Sequence, residues 1–415
     1  MIVGPAPAAT GRRRQFIASA RPRHCWRGLL FGIGRLARDP LIPCTSRVPA
    51  PLRVPRPAAR RFLRAALLLD RPAATTGEAL DHLGYVQLDP VNVCGRMHDL
   101  ILRNRVEGYR EGDLLRHLYG GAAPRVSFEH YLPAAGVLAA LPLDAWPHLQ
   151  AHMRHRRGSP GGYGGRLSAA EERLAGHILG EIAQRGPLGS DDIEHASRAT
   201  TAWGTDGRMV KIVLEKLLFH GRVLIARRAG FRRVYDLPEH VLPPGVLGSG
   251  EPAPDQTARW LILLRIRQRR LVTLKRGEWP LVSGDVQPVA IDGCPPLFCL
   301  HTDVPLLADS ADGDSAPPTL PPVRLLAPLD PLIYDRRLTG CLWDFDYTWE
   351  AYTPPAKRRR GHYALPVLAG LELVGHVHPR ADREQRRLRI VSRAVRRGLA
   401  VAPAVRELAR FLGLR

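Results

Sequence analysis

Lysine is nearly absent from this chain: 4 lysines stand beside 57 arginines among 61 basic residues. That skew, with abundant alanine, glycine and proline, is a mark of GC-rich coding, so a single arginine says little by itself. Acid is scarce as well, with 39 Asp and Glu and a net charge of +22. This excludes a strongly acidic, cation-binding protein and points to a polyanionic partner, nucleic acid above all. Long apolar runs are missing too. The longest, Leu132–Leu143, is interrupted by proline and too short to span a bilayer, so no membrane association is expected. The six cysteines, at 25, 44, 94, 294, 299 and 341, form no CxxC pair and are too sparse for a disulfide scaffold. The expectation is free thiols in a reducing cytoplasm and no metal. There is no P-loop, no GxGxxG after a strand, no HExxH and no GxSxG, and no cofactor is expected. The sixteen histidines do not cluster at ligand spacing; His376 and His378 share a strand face without a carboxylate nearby.

What is present is the composition of a soluble globular protein of two or three domains, with 415 residues, 45% hydrophobic and 24% charged. Residues 1–52 stand apart, with nine Arg, one Asp, scattered proline and no sustained period. They read as a disordered basic tail, a transit-like segment or a start placed too far upstream. Without them the net charge is still +14. The folded part is expected to begin at Pro55–Pro57 with a helix over 58–69. A second helix runs from Thr75 through His82 and stops at Gly84. Tyr85–Pro90 alternates as an extended segment, and Arg96–Arg105 reads as a helix.

Residues 157–165 are a glycine-rich linker. Beyond it the spacing predicts a helix at 169–185, a short helix opening at Ser190–Ile193, an amphipathic helix at 208–220, and strands 222–227 and 231–237 around Ala229-Gly230. Helix, helix, helix, hairpin is the order of a winged helix. The hairpin tip carries Arg227, Arg228, Arg232 and Arg233, a charge pattern suited to phosphates. Another break covers 243–255, and an Arg-rich helix follows at 256–270. The stretch 309–322 reads as a loop. From Arg324 onward strands dominate (347–352, 362–368, 371–378, 387–391), closed by a helix at 404–412. The fold class read from this order is α+β, with winged-helix domains followed by a small β-rich C-terminal domain. The segments are 53–156, 166–245, 256–308 (a third winged-helix-like piece) and 324–415.

Two constellations could carry chemistry. In Gln87-Leu88-Asp89 an amide and a carboxylate two residues apart on an extended segment face one side, where they can hold a water, take its proton or balance developing positive charge. Lys357-Arg358-Arg359-Arg360 is the densest run of cations and suits phosphate binding.

Around these residues the sequence resembles the bacterial winged-helix DNA glycosylases typified by AlkZ and YcaQ/AlkX. The resemblance rests on Gln87-Leu88-Asp89-Pro90-Val91-Asn92-Val93, on Arg96-Met97-His98-Asp99-Leu100 through Arg105, and on Val223–Val241. It continues in Leu326–Pro331 with Asp335-Arg336, and in Glu350–Arg358 followed by Gly361, Tyr363 and Gly375. The matches run in order over residues 53–415. The resemblance implies tandem winged helices with a β-rich C-terminal domain. It also implies removal of alkylated purines, notably N7-alkylguanine, and unhooking of interstrand crosslinks. Gln-x-Asp, rather than Gln-x-Gln, places the chain with the YcaQ branch. Gln87 and Asp89 are then the catalytic residues of a monofunctional N-glycosylase. Asn92, Arg96, the hairpin arginines, residues 357–360 and Arg383 are the DNA-binding candidates. The partner implied is damaged double-stranded DNA, met as a monomer in the cytoplasm at the nucleoid. The alternative is a winged-helix DNA binder without catalysis, a regulator or a damage binder. Two departures stand out. The family's His-Glu pair after Phe128-Glu129 is replaced by Pro133-Ala134, and the Arg and Asp of a late family motif are His376 and His378. Residues 265–290 are rearranged.

Overall fold

Chain order begins before Pro55. In the computed structural model, which describes residues 49–415 except 122–124, 134–135, 161–162, 201–205, 231 and 313–321, Leu52–Arg53 is a strand. It pairs in parallel with Val286–Ala290, itself antiparallel to Leu297–Leu300. The first described strand thus completes a sheet of the 256–308 region, which no local pattern around Pro55 announces. Of the basic N-terminal segment, residues 1–48 lie outside the described residues.

The helix Arg56–Ala66 has proline in its first turn, where a missing N–H costs nothing, and buries Ala58, Ala59, Phe62, Leu63 and Ala66. The helix Thr76–Leu83 is capped by the Thr75 side chain, which accepts from the Glu78 N–H at 3.2 Å. It stops at Gly84, whose φ of 79° is left-handed and whose Cβ, if present, would meet Leu264 at 2.6 Å. The strand Val86–Gln87 pairs with Leu138–Pro142, which also pairs with Ser127–Tyr131. The chain then turns at Asp89-Pro90 toward the helix Met97–Leu102.

After the linker comes the helix Ala169–Arg185, opened by a Ser168/Glu171 capping box. The strand Leu188–Gly189 adds to the hairpin Leu224–Ala229/Arg232–Asp236, against which the helix Ala169–Arg185 packs, with the helix Met209–Phe219 packed in turn on that helix. The short helix expected at Ser190–Ile193 does not form. The carboxylate of Asp192 instead accepts from the Gly189 N–H at 2.8 Å in a turn, and the strands Arg198–Thr200 and Asp206–Arg208 follow as a small hairpin.

The C-terminal region is a four-stranded sheet in the order Arg324–Leu325, Leu365–Ala369, Glu372–Asp382, Arg387–Val395, with the helix Ala402–Phe411. The strand expected at 347–352 is absent. Thr353-Pro354-Pro355 follows it, and consecutive prolines supply no ladder donors. Tyr347 instead donates its hydroxyl to the Ala364 carbonyl at 2.7 Å, and Glu350 folds back on the segment after it.

Two cores meet at the Gln87–Asp89 segment. Val86 and Leu88 belong to the larger, with Phe62, Leu83, Phe128 and the helix Met209–Phe219. Cys94, Met97, Leu100 and Ile101 belong to the second, with Tyr363, Leu365, Val377 and Leu408 of the C-terminal region. Each fully buried aliphatic or aromatic side chain there is worth roughly 1.5–3 kcal/mol, so the segment is anchored on both sides. Arg105 and Asp330, both fully buried, add a bidentate pair at 2.6 and 2.8 Å between the first region and the last.

The thiol expectation needs correcting. Cys294 and Cys341 form a disulfide with Cα atoms 5.4 Å apart, while Cys94 and Cys299 are free and buried. The pair lies 47 residues apart in sequence. Only the packing of the helix Arg336–Trp343 near the loop that follows Val286–Ala290 brings it within bonding reach. Among the described residues no helix is long and apolar enough to cross a membrane.

Candidate active site

A cleft of about 610 Å³ opens beside the Gln87 segment. One wall is Gln87, Leu88, Asp89 and Pro90, joined by Arg96 and His98. The facing wall comes from the helix Met209–Phe219 (Lys211, Ile212, Glu215) and from the hairpin (Arg228, Arg233), with Tyr131 and Tyr163 between. Tyr352 stands at the edge, 78% exposed.

Gln87 sits on a strand only two residues long, opposite Ala139, a partner with almost no side chain. It is buried, and its Oε1 finds no hydrogen-bond partner among the described residues. Asp89 is half-buried, two residues past that strand. Its Oδ1 accepts from the Val91 N–H at 2.9 Å, a turn that fixes the carboxylate. Burial raises its pKa above the usual carboxylate range, with the Val91 hydrogen bond opposing. A carboxylate with one oxygen committed to the backbone still has another to take a proton or face a cation. The Tyr352 phenol, although mostly exposed, has its pKa raised by partial desolvation first and then by the Asp89 charge.

The facing wall is wired differently. Glu129, fully buried, receives Arg228 through Nε at 3.0 Å and through a second guanidinium nitrogen, and also the Tyr119 hydroxyl. Arg233 pairs with Glu215 at 2.9 Å and approaches Glu129 at 3.9 Å, while Tyr131 donates to Glu215. Burial, the largest single effect, lowers the pKa of Arg228, but the Glu129 charge, the hydrogen bonds to Glu129 and the nearby Tyr119 together outweigh it and raise it. Two of the four hairpin arginines expected on phosphates therefore neutralise carboxylates on this side of the cleft. Of the other two, Arg227 is exposed, and Arg232 is exposed and paired with Asp191 at 3.0 Å.

The 357–360 run is a turn wrapped on one carboxylate. The backbone N–H groups of Arg359, Arg360 and Gly361 donate to Glu350 at 3.0, 2.8 and 3.1 Å. Those three bonds outweigh burial and lower the Glu350 pKa. Gly361 has a φ of 111°, and a Cβ there would strike the His378 ring at 2.3 Å. The Lys357 and Arg359 side chains are exposed, Arg358 donates to the Thr353 carbonyl, and Arg360 pairs with Asp346 at 3.0 Å. Asn92 is exposed and accepts from the Gly95 N–H at 3.1 Å, and Arg383 pairs with Glu111 at 3.2 Å. The cleft lining therefore brings together Gln87, Asp89, Arg96, Arg228 and Arg233. It does not include Asn92, Arg227, Arg232, residues 357–360 or Arg383.

Sequence patterns alone passed over His98, Tyr352, Tyr163, Glu129 and Glu215 as site residues. His98 and Tyr352 lie within stretches that carry the family resemblance, but nothing in their spacing assigns them to a cleft. Glu129 stands in the stretch whose later His-Glu pair is replaced; of that replacement, Ala134 lies outside the described residues. Among the described residues no group of three or more His, Cys, Asp or Glu is placed to hold a metal ion.

Comparison with known proteins matches residues 80–413 to the family model described as DNA glycosylase AlkZ-like. The structure is similar to that of the Streptomyces sahachiroi DNA glycosylase AlkZ, with a TM-score of 0.52 and 17% identity over 86% of this chain and 96% of that one. At that identity the structural likeness is one of fold.

Proposed function

The chain belongs to the AlkZ-like DNA glycosylase family, enzymes of DNA alkylation and crosslink repair, and on that premise we propose that it hydrolyses the N-glycosidic bond of N7-alkylguanine and related alkylpurines in double-stranded DNA. Asp89 activates the water and Gln87 orients it. The observation that supports this is the pairing of an uncommitted buried amide with a half-buried carboxylate on one wall of one cleft.

N7 alkylation places positive charge on the base and makes it a good leaving group. The C1′–N9 bond breaks with its electron pair moving to the base, which leaves neutral. The sugar passes through an oxocarbenium-like state, which a carboxylate stabilises. Water adds at C1′ and its proton passes to Asp89, whose pKa, raised by burial, makes it a better acceptor than an exposed Asp. A half-buried Asp89 next to exposed Pro90 and Asn92 suits a lesion that cannot be fully extruded, so crosslinks are included among the substrates. The architecture we assign is tandem winged helices (53–156 and 166–245, with 256–308 as a third such piece) ahead of the β-rich 324–415, acting as a monomer on the duplex.

The test is excision. A duplex with a single N7-methylguanine is incubated with the wild type and with Asp89→Asn, and strand breaks at abasic sites are scored after alkali. Breaks with the wild type that disappear in the variant support the reading. Tight binding without excision of either the methylated or a crosslinked duplex would favour the damage binder without catalysis.

A further inference from the structure

His98 is 3% exposed on the first turn of the helix Met97–Leu102, yet it lines the same cleft as Gln87 and Asp89. Neither of its ring nitrogens finds a hydrogen-bond partner among the described residues. A buried imidazole left wholly unpaired is uncommon, because desolvation is costly when no partner replaces water. A polar neighbour is in the same condition. Asp99 Oδ2 has no hydrogen-bond partner among the described residues and lies 3.6 Å from His98 Nε2. The other oxygen, Oδ1, is held by the Tyr109 hydroxyl at 2.7 Å and the Gly112 N–H at 3.0 Å, and Tyr109 is itself braced by the Leu114 N–H at 3.2 Å. The carboxylate is thus fixed, and a slight turn of the imidazole brings Nε2–H onto it.

We propose that His98 is a further positioning residue of this site: anchored to Asp99 through Nε2–H, it presents Nδ1 as an acceptor to the Gln87 amide. The role rests on the glycosylase reading above. A carboxylate that takes one ring N–H selects the tautomer in which the other nitrogen carries a lone pair. Gln87 can then donate an N–H to Nδ1, which turns its Oε1, an atom without a partner among the described residues, outward as an acceptor. Water held by Gln87 Oε1 and the Asp89 carboxylate has both hydrogens directed at acceptors and a lone pair free for C1′. Without His98 the amide can flip and offer a donor where an acceptor is needed. The imidazole stays neutral: burial first, then Arg96 and Arg228, push its pKa down to about 3. It therefore serves as a fixed acceptor and takes no part in proton transfer at neutral pH.

The experiment pairs kinetics with the tautomer. Single-turnover excision of N7-methylguanine and duplex affinity are measured for the wild type, His98→Leu, His98→Asn and Asp99→Asn. His98→Leu is expected to lose about 10- to 100-fold in rate, the scale of a misplaced reacting group, with duplex affinity unchanged. His98→Asn, whose amide oxygen can stand near the position of Nδ1, is expected to recover most of the loss. Nitrogen NMR of the wild type is expected to show His98 as the Nε2–H tautomer from about pH 5 to about pH 8, the range in which an ordinary histidine titrates. A wild-type rate in His98→Leu, or an Nδ1–H tautomer, would overturn the role while leaving the glycosylase reading intact. The NMR result decides even if the variants fail to fold. A wild type that excises nothing would overturn the functional reading itself, and this role with it.

Discussion

The two walls of the cleft hold polar groups of the same kinds and use them in opposite ways. On the facing wall Arg228, Arg233, Tyr119 and Tyr131 all end on Glu129 or Glu215. On the Gln87 wall, Gln87 Oε1 and both nitrogens of His98 are buried without hydrogen-bond partners among the described residues. A buried group that is fully paired contributes to the fold and has little capacity left for a substrate. A buried group left unpaired costs stability, and folds retain such groups mainly where a ligand or a reaction completes them. On the proposed function the contrast separates scaffold from chemistry inside a single cleft, where charge density alone would have put the chemistry on the arginine side.

The comparison can be broken most sharply at Asp89. Asp89→Asn is expected to slow excision by about 10²–10⁴-fold, roughly 3–5 kcal/mol of barrier, without loss of stability. Because burial raises the pKa of this carboxyl in the folded chain, the fold favours its protonated form. The ionised group is therefore a full penalty at neutral pH, where both folded and unfolded forms are charged, and the penalty fades as pH falls through the raised folded value toward the unfolded one. Urea unfolding at neutral pH should find the Asn variant at least as stable as the wild type. A clear loss of stability would place Asp89 with the scaffold.

Glu129→Ala addresses the other wall. Glu129 is fully buried and Arg228 nearly so, and the variant leaves that guanidinium buried beside no carboxylate of its own. Breaking a buried pair from one side costs roughly 3–5 kcal/mol, so the urea midpoint should fall well below that of the wild type. An unchanged midpoint would mean that the facing wall is not held together by its charges.

A smaller effect is expected at the rim. Lys357 and Arg359 keep exposed side chains while the backbone around them is tied to Glu350. If they meet phosphates, replacing both by alanine should lower the slope of log affinity against log salt by about 1 for each phosphate no longer neutralised, with the unfolding midpoint unchanged. A loss of stability with an unchanged salt slope would assign them to the scaffold.

The gentlest test is pH. In the proposed reaction Asp89 acts as the carboxylate, and its pKa lies above the usual range through burial. Single-turnover excision should therefore decline on acidification at a pH higher than an exposed aspartate would give, with no inflection from His98, whose pKa is pushed down to about 3. A rate that holds constant through the ordinary carboxylate range would show that Asp89 does not act as the base.

Much of this fold is legible in the chain alone. The cap at Thr75, the stop at Gly84 and the hairpin turn at Gly230 depend on neighbours a few residues away, and each lies where its pattern put it. Gln87 and Asp89 both line one cleft, as do Leu88 and Pro90 between and after them, so the lining by itself does not show the alternation expected along an extended chain. Where neighbours failed to decide, the expectation failed. The helix at 190–193 gave way to a turn held by Asp192, the strand at 347–352 to a loop folded on Glu350, and two free thiols to the Cys294–Cys341 disulfide.

By itself the sequence determined the local elements, the positive charge and the catalytic candidates, because helix caps, chain alternation and net charge are properties of neighbouring residues and of sums over residues. Tertiary structure decided which arginines are spent and which remain available. Arg228 and Glu129 lie 99 residues apart, and whether a guanidinium faces a phosphate or a carboxylate depends on which distant chain the fold packs against it. The same holds for His98: its place in the sequence is that of an ordinary helical histidine, and only the meeting of two cores around the Gln87 segment leaves it buried, unpaired among the described residues and facing a cleft.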